Sequence, residues 1–157
     1  MKITSKRGEE LNFLESGVDG IYVLDRVAFR GYFDREGNND WEKSSGKKGL
    51  QEWAKVNLPK EILERFDVDL PTVEEVFSQK MLNLYELGRN LESKQLPIFQ
   101  NSDNRMMQCG GRIAWWWTRS AHADFDADVW LVNGVGAIDY YGAYNIYSFV
   151  PVLRAKA

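Results

Sequence analysis

The sequence predicts an α+β domain, and three features carry that expectation. Residues 115–154, WWWTRSAHADFDADVWLVNGVGAIDYYGAYNIYSFVPVLR, hold four of the six tryptophans and four of the seven tyrosines, broken by Gly134, Gly136 and Gly142. Aromatic runs punctuated by glycine form strands joined by tight turns. Residues 47–66 instead place Leu50, Trp53, Ala54, Leu58, Ile62, Leu63 and Phe66 at helical spacing. The closing strands lie too near one another in sequence to enclose crossover helices, so they are expected to pair as antiparallel neighbours.

A chain of 157 residues is enough for one domain with its own core. Aromatic residues make up 13%, a high share, which points to rings at contact surfaces as well as in the core. The net charge of -3 gives no reason to expect a nucleic-acid partner. No apolar run reaches the roughly 20 residues of a membrane helix, and the opening MKITSKRGEELNF lacks the apolar stretch of a secretory signal. The expectation is a soluble protein, cytoplasmic or virion-associated, without a membrane partner. A single cysteine, Cys109, leaves no internal disulfide and no cysteine-pair metal or redox site. With His122 as the only histidine, the usual zinc ligand sets are also out of reach. Neither a cofactor nor a metal is expected.

Taken in order, residues 1–20 are polar and read as a leading arm or short hairpin. Residues 21–33, IYVLDRVAFRGYF, are rich in strand formers and read as one strand or a bent pair. Residues 34–49 have the composition of a loop, and helices follow near 47–56 and 59–66. FDVDLP, residues 66–71, is an extended connector, because proline disfavours helix in the residue before it. Thr72 with Glu75 three residues on has the capping-box spacing and starts a third helix. That helix has an open end beyond Lys80, where Gly88 could separate it from another. Residues 97–111 read as a loop, and strands are expected at 113–119, 127–133, 135–141 and 144–153.

Several of these segments resemble the C-type-lectin-like domains of bacteria and phages. WWWTRS at 115–120, ADVWLVNGVGAI at 127–138 and YSFVPVLRA at 147–155 are similar to that family's closing signature. NDWEKSSGKKGLQEWAKVNLP and DVDLPTVEEV are similar to its Trp-x-x-Ser segment and its Leu-Pro-(Ser/Thr)-x-Glu-Glu helix start. Thr118 stands where the family usually has leucine, and residues 149–151, FVP, replace the commoner Gly-Val-Arg-Pro. The resemblance covers residues 21–155 and implies short helices packed on a small, mostly antiparallel sheet. Relatives include variable proteins of diversity-generating retroelements, phage tail receptor binders and formylglycine-generating enzymes.

The leading site candidate is the cluster Tyr140, Tyr141, Tyr144, Asn145 and Tyr147. Tyrosine gives a large contact area at low rotamer cost, and asparagine adds adaptable hydrogen bonds. In the variable relatives the ligand surface occupies this region. Tyr140 and Tyr141 are adjacent, so a strand sends them to opposite faces and leaves one outward. His122, Phe125, Asp126, Asn133 and Asp139 complete the candidate surface. Trp115 and Trp117 share a face opposite to Trp116, as core packing or as a stacking platform for sugar. In HADFDAD, residues 122–128, an extended chain would line His122, Asp124, Asp126 and Asp128 on one side, as a solvated acidic loop or a divalent-cation site. The spacing is not an EF-hand, since Val129 and Val135 occupy the positions of its glycine and closing glutamate. Asn133 fits the start of a turn, and Arg119 and Ser120 are expected to make structural hydrogen bonds.

An enzyme finds little support in these residues. The formylglycine-generating relatives hold copper with a cysteine pair, whereas this chain has Cys109 alone. Ser120, His122 and Asp124 are too close in sequence to converge as a triad, and there is no nucleophile elbow. The sequence therefore points to a non-catalytic module whose partner is a protein or glycan. The alternative is a small phage or mobile-element inhibitor that occludes a host protein.

Overall fold

The computed structural model describes residues 1–85 and 90–157. Among the described residues, twelve strands fall at β1 Lys2–Thr4, β2 Glu10–Glu15, β3 Ile21–Leu24, β4 Phe29–Tyr32, β5 Phe66–Asp69, β6 Met107–Cys109, β7 Arg112–Ala114, β8 Trp116–Ala121, β9 Asp128–Val132, β10 Ile138–Gly142, β11 Ile146–Phe149 and β12 Val152–Ala155. The α-helices among the described residues are α1 Ser45–Asn57 and the shorter α2 Lys60–Arg65, α3 Val73–Val76 and α4 Gln79–Leu82. The strands form one sheet in the order β1-β2-β3-β12-β5, a second in the order β10-β9-β8-β11-β4, and a hairpin of β6 with β7. The mixed α+β class read from the sequence is the observed one.

Several expected boundaries change because the chain passes from one sheet to the other. Residues 21–33 are a bent pair, with β3 in the first sheet and β4 in the second. The strand expected over 144–153 is broken at Val150 and Pro151, where the missing proline N–H interrupts the ladder, and its halves β11 and β12 join different sheets. The closing strands are therefore not all antiparallel neighbours. β8, β9 and β10 are, but β11 lies parallel to β8, with Ser148 opposite Trp116, and antiparallel to β4. The connector at 66–71 contains β5, which pairs with β12. The loop expected at 97–111 contains two 3-10 turns and β6, closed on β7 through Gly110 and Gly111, both at positive φ. Residues 1–20 contain the β1–β2 hairpin. The possible helix boundary at Gly88 lies outside the described residues.

Local chemistry explains the helix starts. Ser44 Oγ accepts from the Lys47 N–H and caps α1. Asp34 reaches across the preceding loop, accepting from the N–H groups of Ser45 and Asn38. Gly46 must be glycine, since a Cβ there would lie 2.4 Å from the Phe33 carbonyl oxygen. Thr72 and Glu75 form the predicted capping box, but α3 stops after one turn, and Ser78 caps a separate α4.

Two cores lie on opposite faces of the second sheet. One gathers Phe13, Phe33, Trp41, Leu50, Trp117, Leu131 and Phe149, and the other gathers Phe77, Phe99, Trp116, Trp130, Val132 and Val152. Trp116 and Trp117 are fully buried, and each ring contributes on the order of 3 kcal/mol by leaving water.

An ion network fastens the sheets together. Arg154 of β12 donates from both terminal nitrogens to Glu75 at 2.7 Å, and from one of them to the Leu70 carbonyl at 3.1 Å. Arg119 of β8 pairs with Asp69 of β5 at 3.0 Å, and the Trp41 indole N–H donates to the same carboxylate at 3.0 Å. Ser120 Oγ accepts from the Val73 N–H, so Arg119 and Ser120 have the structural roles expected of them. Burial favours the neutral form of Glu75, but the hydrogen bonds from Arg154 and Thr72 outweigh it and hold the carboxyl below its ordinary pKa. Its stabilisation is complete above the ordinary carboxylate range and is lost as the pH falls through the depressed value. Glu75→Ala is predicted to cost about 2–4 kcal/mol in urea denaturation at neutral pH. A loss under about 0.5 kcal/mol would mean that the network is ornamental.

Candidate functional site

The register of the second sheet sorts the aromatic residues. Trp116 lies opposite Val132 and Trp117 opposite Leu131, while Tyr140 faces Trp130 and Tyr141 faces Val129. Successive side chains on a strand point to opposite faces. Tyr140 therefore turns to the core that holds Trp116 and Trp130, and Tyr141 turns to the face of Trp115 and Tyr147.

On the Tyr140 face, His122 is 2% exposed and stacks on Trp130 at 4.6 Å, with Phe125 and Tyr140 each at 4.7 Å. Its Nδ1 accepts from the Asp124 N–H at 3.1 Å, and its Nε2 is buried without a partner among the described residues. Residues 123–127 turn instead of extending, so the alternation of His122, Asp124, Asp126 and Asp128 does not align them. Among the described residues, no three histidine, cysteine or acidic side chains are grouped to hold a metal ion. The turn is held from across the chain by Asn39, whose side-chain amide donates to the carbonyls of Phe125 at 3.1 Å and Asp128 at 3.0 Å. Asp126 is exposed and Phe125 half exposed. Asn133 Oδ1 accepts from the N–H groups of Val135 and Ala137, closing the turn into β10, while Gly136 there adopts positive φ. Asp139 accepts from the Tyr140 N–H, and the Asn145 amide donates to the Gly142 carbonyl. These three polar side chains are engaged in turns and strand ends.

The Tyr141 face is open. A groove of about 480 Å³ runs between β11 and the β6–β7 hairpin. Trp115, Tyr141 and Tyr147 line it, together with Arg30, Arg112 and Cys109. Trp115 and Tyr147 lie with ring centres 5.9 Å apart and planes 17° apart, and Tyr141 sits 5.7 Å from Trp115. Tyr141 is 42% exposed and Tyr147 partly buried. Burial, with smaller effects from Tyr141 and Asp139, raises the Tyr147 phenol above its ordinary pKa, so it stays a neutral donor and acceptor at physiological pH. Tyr144, 59% exposed, lies outside this groove, near Gly37.

The structure thus brings two of the ten candidates, Tyr141 and Tyr147, into one groove and gathers His122, Phe125 and Tyr140 on the opposite face. Arg30, Arg112 and Cys109 are not among the binding candidates that the sequence offers. Arg30 is remote in the chain and reaches the groove only because β4 pairs with β11. Trp115 was legible, through its shared face with Trp117.

A family model described as "Domain of unknown function (DUF6273)" matches residues 21–153. The chain belongs to this family. The DUF6273 match starts at β3 and ends within β12, so it takes in every strand of the groove. Neither a curated protein nor a solved structure matches the chain significantly. Among the described residues, no helix is long and apolar enough to cross a membrane.

Burial lowers the His122 pKa, outweighing the opposing pull of Asp124 and Asp128. The unfolded chain therefore takes up this proton first, and the contribution of neutral His122 to stability is full above about pH 6.5 and declines below it. Urea midpoints measured from neutral to mildly acidic pH should fall less steeply in His122→Phe than in the parent. Parallel curves would show that His122 does not titrate in this window.

Proposed function

We propose that the protein is a non-catalytic binding module of C-type-lectin-like type, whose aromatic groove receives a protein or glycan. The observation that carries this reading is the groove itself, where Trp115, Tyr141 and Tyr147 line a solvent-open cleft beside Arg30 and Arg112. Tyrosine, tryptophan and arginine are the residues that most often dominate binding energy. Rings fixed on strands lose little freedom when a partner docks, so their contact area turns into affinity efficiently. The volume also lies within the usual range of ligand sites. Short helices beside mostly antiparallel sheets, together with the residue resemblance, support the lectin-like assignment, and a phage or bacterial receptor-binding or retroelement-diversified protein is the identity preferred here.

The test uses immobilised glycans and displayed peptides as probes. Tyr141→Ala should weaken any genuine binder by about tenfold or more, with a melting temperature within about 3 °C of the parent, because that ring is substantially exposed. The same binder should slow alkylation of Cys109, which lines the groove and is the only cysteine. Binders indifferent to Tyr141→Ala that leave Cys109 fully reactive would place recognition elsewhere.

A further inference from the structure

Among the described residues, the arginines divide into two sets. Arg26, Arg119 and Arg154 form ion pairs with carboxylates. Arg105 is buried and donates to the carbonyls of Gly136 and Phe99, and Arg65 lies over the Phe66 ring. Arg7, Arg30, Arg35 and Arg112 do none of these things. Each is exposed, and none has a carboxylate partner among the described residues.

Arg30, Arg35 and Arg112 lie along one surface. Arg30 and Arg112 line the aromatic groove. Arg30 also lines a second furrow of about 320 Å³ between β4 and α1, shared with Arg35, Tyr32 and Ile146. Neither lining contains an aspartate or glutamate, although the chain as a whole carries an acidic excess of 23 to 20. The basic character is therefore local to these two linings, and Asp139, on the face of Tyr141, is an acid close enough to act on Tyr147. Exposed apolar side chains accompany it: Ile113 at 61%, Ile146 at 46%, Tyr141 at 42% and Tyr32 at 39%. Depletion of acids with enrichment of tyrosine, tryptophan and arginine is the composition of protein-contact surfaces. Exposed isoleucines favour partner side chains over the hydroxyl-covered faces of sugars. β4, between the two hollows, is the edge strand of its sheet.

We propose that the groove and the furrow together form one docking track for an acidic, extended segment of a partner protein. This rests on the binding-module reading and narrows it: carboxylates of the segment pair with Arg30, Arg35 and Arg112, while an apolar or aromatic side chain lies against Trp115, Tyr141 and Tyr147. Arginine suits this task because its planar fork meets a carboxylate with two hydrogen bonds.

The experiment selects displayed random peptides on the full chain, keeps those whose binding Tyr141→Ala weakens, and measures them against charge-reversal variants. The expected result is a selected pool enriched in aspartate and glutamate beside an apolar residue. Arg30→Glu and Arg112→Glu should each lower affinity about tenfold, and rising salt should weaken binding. Arg7→Glu, in the turn after β1, should leave affinity unchanged, separating local pairing from net charge. Far-UV circular dichroism and melting temperature should match the parent, since all three positions are exposed. A Tyr141-dependent pool without acidic enrichment, or one indifferent to both reversals, overturns the acidic assignment and leaves the binding module standing. Glycans that bind through Tyr141 when no peptide does would assign the groove to sugar and overturn this proposal alone. Failure of every probe to depend on Tyr141 removes both.

Discussion

Three consecutive tryptophans on an extended chain cannot share a face. That geometric constraint places Trp116 in one core, Trp117 in the other and Trp115 at the mouth of the groove. Once the two buried indoles are fixed, the pairing of β8 with β9 and of β9 with β10 is fixed as well. A slip of one residue would exchange every ring between faces. Tyr140 then has to join His122 and Trp130, and Tyr141 has to join Trp115. The exposed aromatic surface thus follows from how the core is filled.

The polar network beside these cores sets where the sheets meet. Asp69 receives Arg119 from the second sheet and the Trp41 indole from the α1 side, while Glu75 holds Arg154 of the last strand. Such partly buried pairs add modest net stability, but removing one partner leaves a desolvated charge behind. Their consequence is positional. β12 is held beside β5, so β11, three residues upstream, is held between β8 and β4, and Arg30 arrives opposite Ser148 in the groove lining.

The sequence made the α+β class, the capping box at Thr72, the turn at Asn133 and the opposed Tyr140 and Tyr141 legible, because each depends on neighbours only a few residues apart. It did not reveal that residues 144–153 divide between two sheets, since the periodicity of β11 and β12 is alike and only Pro151 marks the break. The alternating acids of 122–128 suggested an aligned row, but burying His122 against Trp130 requires the chain to turn there, and Asn39 supplies the acceptor-seeking amide that holds the turn. Asn39, Arg30 and Arg112 reach their places through long-range pairing, which no local pattern encodes. The sheet divides the candidate residues between a packed aromatic cluster and an open groove, a division that the opposed faces of Tyr140 and Tyr141 foreshadow.

These features describe a rigid scaffold with a core on each face of the second sheet, where the face of Trp117 also opens into the groove. Buried rings fix the strands, and the strands aim Trp115, Tyr141 and Tyr147 outward among arginines that the fold itself does not use. The most direct measurement is amide hydrogen exchange with and without a bound probe, because it reports both faces of the same sheet in one experiment. Slower exchange confined to residues 109–115, 141–148 and the β4 edge is the predicted result. Slower exchange confined to residues 122–128, with the groove strands unchanged, would contradict the account.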